Sequence, residues 1–298
     1  MNTRPLGTGG PPVPVLGFGA WPLGGGLGRI ERSTAVNAVR TAIDSGITLV
    51  DTAEAYRSSE QILGEALAGG WRDRCFLATK ASSDYSSAGI RRALEQSLRS
   101  LRTDHVDLYQ IHGWNPAWPI ESSMEEMRKL QEEGKALHIG VSNFLPEHME
   151  RALRVCRFAT NQVRYSILFR GVEDDGTIGF CGREGIGVIV HSPLAKGLLT
   201  GRYTRSSRFP ADDERSGFPD FQGERLAGHL ARAERLAGIA RARGVSLVQL
   251  AIAWTLACPQ VCCTLVGAKS PPQVREHVAA AEIELTPREL AAIDEALQ

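Results

Sequence analysis

The 298-residue chain has no excess charge of either sign: 34 lysines and arginines stand against 34 aspartates and glutamates. A balanced chain without a basic run lacks the electrostatic footprint of a nucleic-acid binder. No apolar run approaches the ~20 residues that a membrane-spanning helix needs, so no membrane partner is expected. The start, Met1-Asn2-Thr3-Arg4-Pro5, lacks the charged region and apolar core of a signal peptide. None of the six cysteines (Cys75, Cys156, Cys181, Cys258, Cys262 and Cys263) belongs to a C-x-x-C pair, and several lie in apolar stretches. Buried free thiols in a reducing cytoplasm are the expectation. Two nucleotide signatures are also missing. Gly17-Phe18-Gly19 has Pro22 where G-x-G-x-x-G needs its third glycine, and no G-x-x-x-x-G-K-S/T loop occurs. Motif spacing alone proposes no nucleotide.

What the chain does have is an alternation of short apolar runs with helical periodicity. Leu6 to Pro14, rich in Gly and Pro, reads as turns. Val15–Gly19 reads as a first strand, followed by a Gly-rich loop, Ala20 to Gly28. Thr34–Asp44 repeats Val36, Val39 and Ile43 at helical spacing and stops at Gly46. Strand-then-helix pairs follow: Leu49–Asp51 with Ser59–Ala68, Phe76–Lys80 with Ala88–Leu101, Val106–Ile111 with Ile120–Glu133, and Leu137–Val141 with Glu147–Val155. Thr160–Val163 is a weak strand before an ambiguous segment, Val172–Glu184. Gly187–Val190 precedes a long loop, Leu198–Gly223. Helices Glu224–Arg243 and Leu247–Ala257 come next, the latter with Leu247, Leu250, Ala251 and Trp254 on one face. Cys262–Val266, Pro272–Ala281 and Pro287–Leu297 close the chain.

About eight such units without a composition break predict an α/β fold. The expectation is a single (β/α)8 TIM barrel spanning 1–298, with an N-terminal turn segment and extra C-terminal helices. A doubly wound sheet is the competing arrangement. In a barrel, the C-terminal strand ends converge on one rim. Here those ends carry Asp51, Lys80, His112, Ser142 with Asn143, Gln162, His191 with Ser192, and Gly267 with Lys269. Each has a bland reading alone: an Asx cap for Asp51, a solvated surface lysine for Lys80, a satisfied core histidine for His112. One polar group after nearly every strand is hard to explain as ordinary surface.

These residues carry a resemblance to the aldo-keto reductase family along essentially the whole chain. Asp51-Thr52-Ala53-Glu54-Ala55-Tyr56 is similar to the family's Asp-Thr-Ala-x-x-Tyr signature. Leu77-Ala78-Thr79-Lys80 resembles its lysine strand and Leu108-Tyr109-Gln110-Ile111-His112 its histidine strand. Gly134 to Phe144 is similar to Gly-Lys-x-x-x-x-Gly-Val-Ser-Asn-Phe. Ser192–Gly201 and Gly267–Glu276 resemble two cofactor segments. The resemblance implies reversible, NADPH-dependent reduction of an aldehyde or ketone. Tyr56 would be the general acid, and Lys80 would lower its pKa from the reference ~10. Asp51 would hold Lys80, and His112 would orient the carbonyl.

The resemblance also implies a cofactor site. Gly19, Ala20, Trp21 and Asp51 would be among the residues that bind the cofactor. Ser142, Asn143 and Gln162 would hold its nicotinamide carboxamide, and His191 would take the place of the usual stacking aromatic. The pyrophosphate would follow Ser192, Pro193, Leu194, Lys196, Gly197 and Leu198, with backbone N–H groups facing the anion. Gly267, Lys269, Gln273, Glu276 and His277 would receive the adenosine 2′-phosphate and adenine, with Lys269 favouring NADP over NAD. His277 replaces the family's asparagine, and Arg57 replaces the glycine that usually follows the tyrosine.

A small-molecule carbonyl is the expected partner, with Trp21, Tyr56, Tyr85, His112 and Trp114 lining its pocket. The loop's Phe209, Phe218 and Phe221 would close over the cofactor, while Trp71 and Trp254 would only pack. Oligomeric state leaves no mark in the sequence. Two other classes stay open: a cofactor-sensing subunit with little turnover, and a metal-dependent hydrolase using Asp51, His112, His138 or His191.

Overall fold

The computed structural model describes residues 1–298. Ten strands form: β1 (Thr3–Pro5), β2 (Pro12–Pro14), β3 (Leu16–Gly19), β4 (Leu49–Asp51), β5 (Phe76–Ala81), β6 (Val106–Ile111), β7 (Ala136–Ser142), β8 (Thr160–Arg164), β9 (Gly187–His191) and β10 (Val261–Val266). The last eight close into a barrel in sequence order, with β10 joining β9 to β3. Every pairing in the barrel is parallel. The expected barrel is therefore present, and the doubly wound alternative is not. Predicted strand and helix ends fall within two residues of the observed ones.

Each crossover helix buries an apolar stripe against the strands. In Arg32–Asp44 the stripe is Ala35, Ala38, Val39, Ala42 and Ile43, all buried. The larger apolar core lies between strands and helices. A smaller one fills the lower barrel with Leu49, Ala78, Leu108, Ile189 and Leu265.

Three sequence expectations need correction. The opening segment does not consist of turns alone: β1 and β2 pair as an antiparallel hairpin. The hairpin's Val13 and the Leu6 beyond its first strand close the lower barrel core. Arg4 ties it down by donating to the carbonyls of Leu256 (2.8 Å) and Val261 (2.5 Å). The Leu256 carbonyl is one of the acceptors left free at the end of helix Leu247–Leu256, where a cation is favoured. That helix, expected to bury one face, is buried nearly all round. Helices Gly223–Arg243 and Pro271–Ala280 cover its other sides. The ambiguous segment after β8 is two helices, Gly171–Asp174 and Thr177–Glu184, separated at Gly176 with φ +78°.

The long loop is built from short 3-10 turns at Ala195–Thr200, Glu214–Gly217 and Pro219–Phe221. Phe209 and Phe221 do not line the rim cleft. They meet edge-to-face at 5.3 Å and both contact Tyr203. The Phe218 ring centroid lies 3.1 Å from Lys196 Nζ. Trp71 and Trp254 pack as expected, Trp71 under Arg40 and Arg74 and Trp254 against Tyr165. No single helix is long and apolar enough to cross a membrane.

Arg4→Ala removes a charged donor from the carbonyls of Leu256 and Val261. It should lower the urea-unfolding free energy by about 2 kcal/mol without touching the rim, and equilibrium denaturation checks it.

Candidate active site

Parallel register sets which side chains share the rim. Lys80 lies opposite Gln110 across β5 and β6, and Ser142 lies opposite Gln162 across β7 and β8. Because side chains alternate along a strand, Gln110 and His112 project to the same side of β6.

At the centre, Lys80 is fully buried and Asp51 is 2% exposed. Lys80 Nζ donates to Asp51 Oδ1 at 2.5 Å and to the Thr52 carbonyl at 2.7 Å. The other carboxylate oxygen, Oδ2, accepts from Gln162 Nε2 at 2.9 Å and from Gln110 Nε2 at 3.2 Å. Burial pulls the Lys80 ammonium down, but Asp51 and then Tyr56 outweigh it, and its pKa ends above the usual lysine value.

The Tyr56 ring centroid lies 5.1 Å from Lys80 Nζ, and the Tyr56 hydroxyl is 3.4 Å from His112 Nε2. Gly24 makes room for this turn, since a β-carbon there would collide with the Tyr56 carbonyl oxygen. Contrary to expectation, the Tyr56 pKa is raised: burial pushes it up further than the Lys80 charge pulls it down. His112 is held neutral, at about 3, by burial and by the Lys80 charge.

A cleft of about 440 Å³ runs from this cluster across the rim, between Trp21, His191 and Lys196 on one stretch and Lys269, Glu276 and His277 on another. Gly19, Asp51, Tyr56, Gln162, Ser192, Pro193, Leu194, Gly197, Gly267 and Gln273 also line it. The rim residues near the cluster are mutually tied. Ser142 Oγ donates to the Gln162 carbonyl at 2.8 Å. Asn143, with φ +55°, places Nδ2 3.0 Å from Ser142 Oγ and Oδ1 3.2 Å from His191 Nε2.

Some expected residues do not reach the cleft. Ala20 is buried, its carbonyl accepting from Ser59 Oγ. Leu198 turns its side chain into the core. Tyr85 is buried edge-on to Trp118, with its hydroxyl donating to the Ser82 carbonyl at 3.3 Å. Trp114 sits outside the cleft on the outer rim, 39% exposed and stacked on His148 at 4.1 Å. His138, in the first half of β7, stacks on Phe76 away from the other rim groups.

The far end of the cleft is suited to an anion. Lys269 Nζ donates to the carbonyls of Leu27 and Gly28 and forms no ion pair. Burial and neighbouring Arg215 lower its pKa, partly offset by Asp213. Arg215, also in the lining, is paired to Asp213 and donates to the Leu27 carbonyl at 3.0 Å. Helix Pro271–Ala280 begins here at Ser270 without a side-chain cap; Pro271 and Pro272 carry no N–H, so its positive dipole end rather than a row of amides favours an anion. Between Ser192 and Gly197 the backbone takes positive φ at Ser192, Ala195, Lys196 and Gly197. Such turns aim successive N–H groups into a concavity, a usual cradle for phosphate. His277 adds a buried Nδ1 with no partner. These groups fit a long polyanionic nucleotide.

Gln110 and Arg215 were missed from sequence. Gln110 was discoverable, two residues before His112 and so on its face. Arg215 was not, since an aperiodic loop gives no register to read.

An eight-stranded barrel with a buried ammonium–carboxylate pair, a phenol and a neutral imidazole beside an anion-receptive cleft defines an enzyme of the oxidoreductase type. Comparison with known proteins agrees. The model of the Aldo/keto reductase family matches residues 15–298. The chain is 37% identical to aldo-keto reductase YhdN of Bacillus subtilis (strain 168), over 87% of this chain and 82% of that protein. Its fold matches the glycerol dehydrogenase AKR11B4 from Gluconobacter oxydans with TM-score 0.89 and 33% identity, covering 99% of this chain and 95% of that one. An aldo/keto reductase from Klebsiella pneumoniae, solved with NADP and acetate, matches with TM-score 0.78 and 32% identity, over 99% and 95% of the two chains. The chain belongs to the aldo/keto reductase family, which comprises NAD(P)H-dependent oxidoreductases.

Burial holds three imidazoles low: His112 and His191 at about 3, and His277 at about 4. An unfolded imidazole titrates near ~6.5. Below that pH the unfolded chain binds more protons, so the contribution of these groups to stability is complete above ~6.5 and is lost as pH falls toward the folded values. The urea midpoint should fall from pH 6.5 to 4. His277→Asn, which does not titrate, should flatten that slope. An identical slope in the variant would remove His277 from the account.

Proposed function

We propose that this chain is an NADPH-dependent carbonyl reductase with Tyr56 as general acid in reduction and general base in alcohol oxidation. The observation that carries the reading is the buried Lys80–Asp51 pair set against Tyr56 at the head of the cleft. When bound, NADPH supplies the hydride that reduces the carbonyl carbon.

The chain's own groups then account for the proton. A raised pKa keeps Tyr56 protonated at neutral pH, so the proton is available to the carbonyl oxygen. Giving it up leaves a phenolate, and the Lys80 ammonium stabilises that charge inside a site shielded from water. Asp51 keeps Lys80 charged and in place, while Gln110 and Gln162 take up the remaining carboxylate oxygen. Neutral His112 donates a hydrogen bond to the carbonyl without competing as an acid.

Asn143, Ser142 and Gln162 would hold the carboxamide, and His191 would lie against the nicotinamide ring. The Ser192–Gly197 backbone would receive the pyrophosphate. Lys269, Arg215 and the open helix start would take the 2′-phosphate, with Gln273, Glu276 and His277 at the adenine. Trp21 would form the apolar wall of a carbonyl pocket. The likeness to a glycerol dehydrogenase adds small polyols to the alcohols worth testing. Six free cysteines, four of them buried, support a reducing cytoplasm as the setting.

Purified protein should consume NADPH with at least one of an aromatic aldehyde, methylglyoxal, an aldose, pyridoxal or dihydroxyacetone. Tyr56→Phe should lose turnover by at least about 100-fold while NADPH binding, followed by fluorescence, stays near normal. Carbonyl reduction retained in that variant would refute the role given to Tyr56. In the same titration NADPH should bind more tightly than NADH. Lys269→Ala should weaken NADPH by about tenfold to a hundredfold and leave NADH nearly unchanged. Tighter binding of NADH by the parent protein would overturn the 2′-phosphate assignment.

A further inference from the structure

One rim group belongs to none of the family signatures. Ser82, just beyond β5, places its Oγ 2.6 Å from His112 Nδ1. Its position is closely held. The Glu54 carboxylate accepts from the Ser82 amide at 2.5 Å and from the Ser83 amide and hydroxyl at 3.0 Å each. Tyr85 donates to the Ser82 carbonyl. The hydroxyl makes no other hydrogen bond in the chain, so it is free to serve the imidazole.

A neutral imidazole carries one proton, and the partner of one nitrogen decides which nitrogen bears it. With the proton on Nδ1, Nε2 would be an acceptor facing the Tyr56 hydroxyl and would compete with the substrate for the phenolic proton. With the proton on Nε2, the imidazole is a donor beside Tyr56, as carbonyl binding requires. We infer that Ser82 is a positioning residue: by donating to Nδ1 of His112 it fixes the Nε2–H tautomer and aims that donor at the substrate oxygen. Burial supports this arrangement, since it keeps His112 from taking a second proton. Glu54 and Tyr85 then act one step further out, as the clamp on Ser82. The inference rests on the carbonyl-reductase reading of the same site.

The first test is independent of turnover. Long-range proton–nitrogen NMR on histidine-labelled protein at pH 7 should show His112 as the Nε2–H tautomer. Ser82→Ala should shift it toward Nδ1–H or a mixture. In kinetics, Ser82→Ala should lower kcat by about tenfold to a hundredfold, with NADPH affinity and thermal midpoint unchanged. Ser82→Thr, which keeps the hydroxyl, should restore most of the loss. An Nδ1–H tautomer in the parent protein would overturn the inference. So would a Ser82→Ala variant that keeps both the Nε2–H tautomer and full kcat. If Tyr56→Phe keeps full activity, the reductase reading fails, while the tautomer result still stands or falls by itself.

Discussion

An ammonium with no exposed surface is stable only if something nearby replaces water around it. Lys80 meets that condition through one carboxylate and one carbonyl, Asp51 and Thr52. Removing either member of such a buried pair strands the other charge and typically costs about 3–5 kcal/mol. The rest of the rim follows from this constraint. Asp51 must end β4 at the level where Lys80 stands on β5, and Gln110 and Gln162 must reach across the barrel to occupy the second carboxylate oxygen. Tyr56 lies where the one strong positive charge of the interior acts on it, and the same charge helps keep His112 neutral.

Barrel closure makes this possible. Asp51, Lys80, Gln110 and Gln162 come from four strands separated by as many as 111 residues in sequence. Parallel register brings their side chains to one depth. The hairpin of β1 and β2 closes the opposite end, where Leu6 and Val13 join the apolar lower core. The long loop reaches back over that rim: the Glu214 amide donates to the Gly26 carbonyl at 2.8 Å, and Arg215 and Lys269 meet the same Leu27 carbonyl. This end of the cleft is thus walled by segments that follow the neighbouring strands β9, β10 and β3.

The electrostatics divide the cleft in two. At its head, a compensated ion pair and neutral imidazoles suit proton transfer. At its far end, Lys269 without a carboxylate partner and an uncapped helix start suit phosphate. Lys196 lies between them, held over the Trp21 and Phe218 rings and lowered to about 8 by burial and by Arg164.

The fold was largely legible before any coordinates, because hydrophobic period and turn residues are local signals. The eight units, Asp51 at a strand end and the helix after Lys269 could all be read from neighbouring residues. The opening hairpin was hidden by prolines and glycines that mark turns equally well, and helix Leu247–Leu256 was under-read because burial on every side has no periodicity. Sequence likeness picked out Tyr56, Lys80 and His112, which the structure clusters, and Lys269, which lines the same cleft at its far end. It did not show that the Tyr85 and Leu198 side chains turn into the core, and could not supply Arg215 or the bond from Ser82 to His112. Local pattern determined the elements and the identity of the rim residues. Only the tertiary structure decided which of them touch, how burial outweighs Lys80 at Tyr56, and which groups are left without partners. Those properties depend on distance and desolvation between residues far apart in the chain, and neither is a function of sequence spacing.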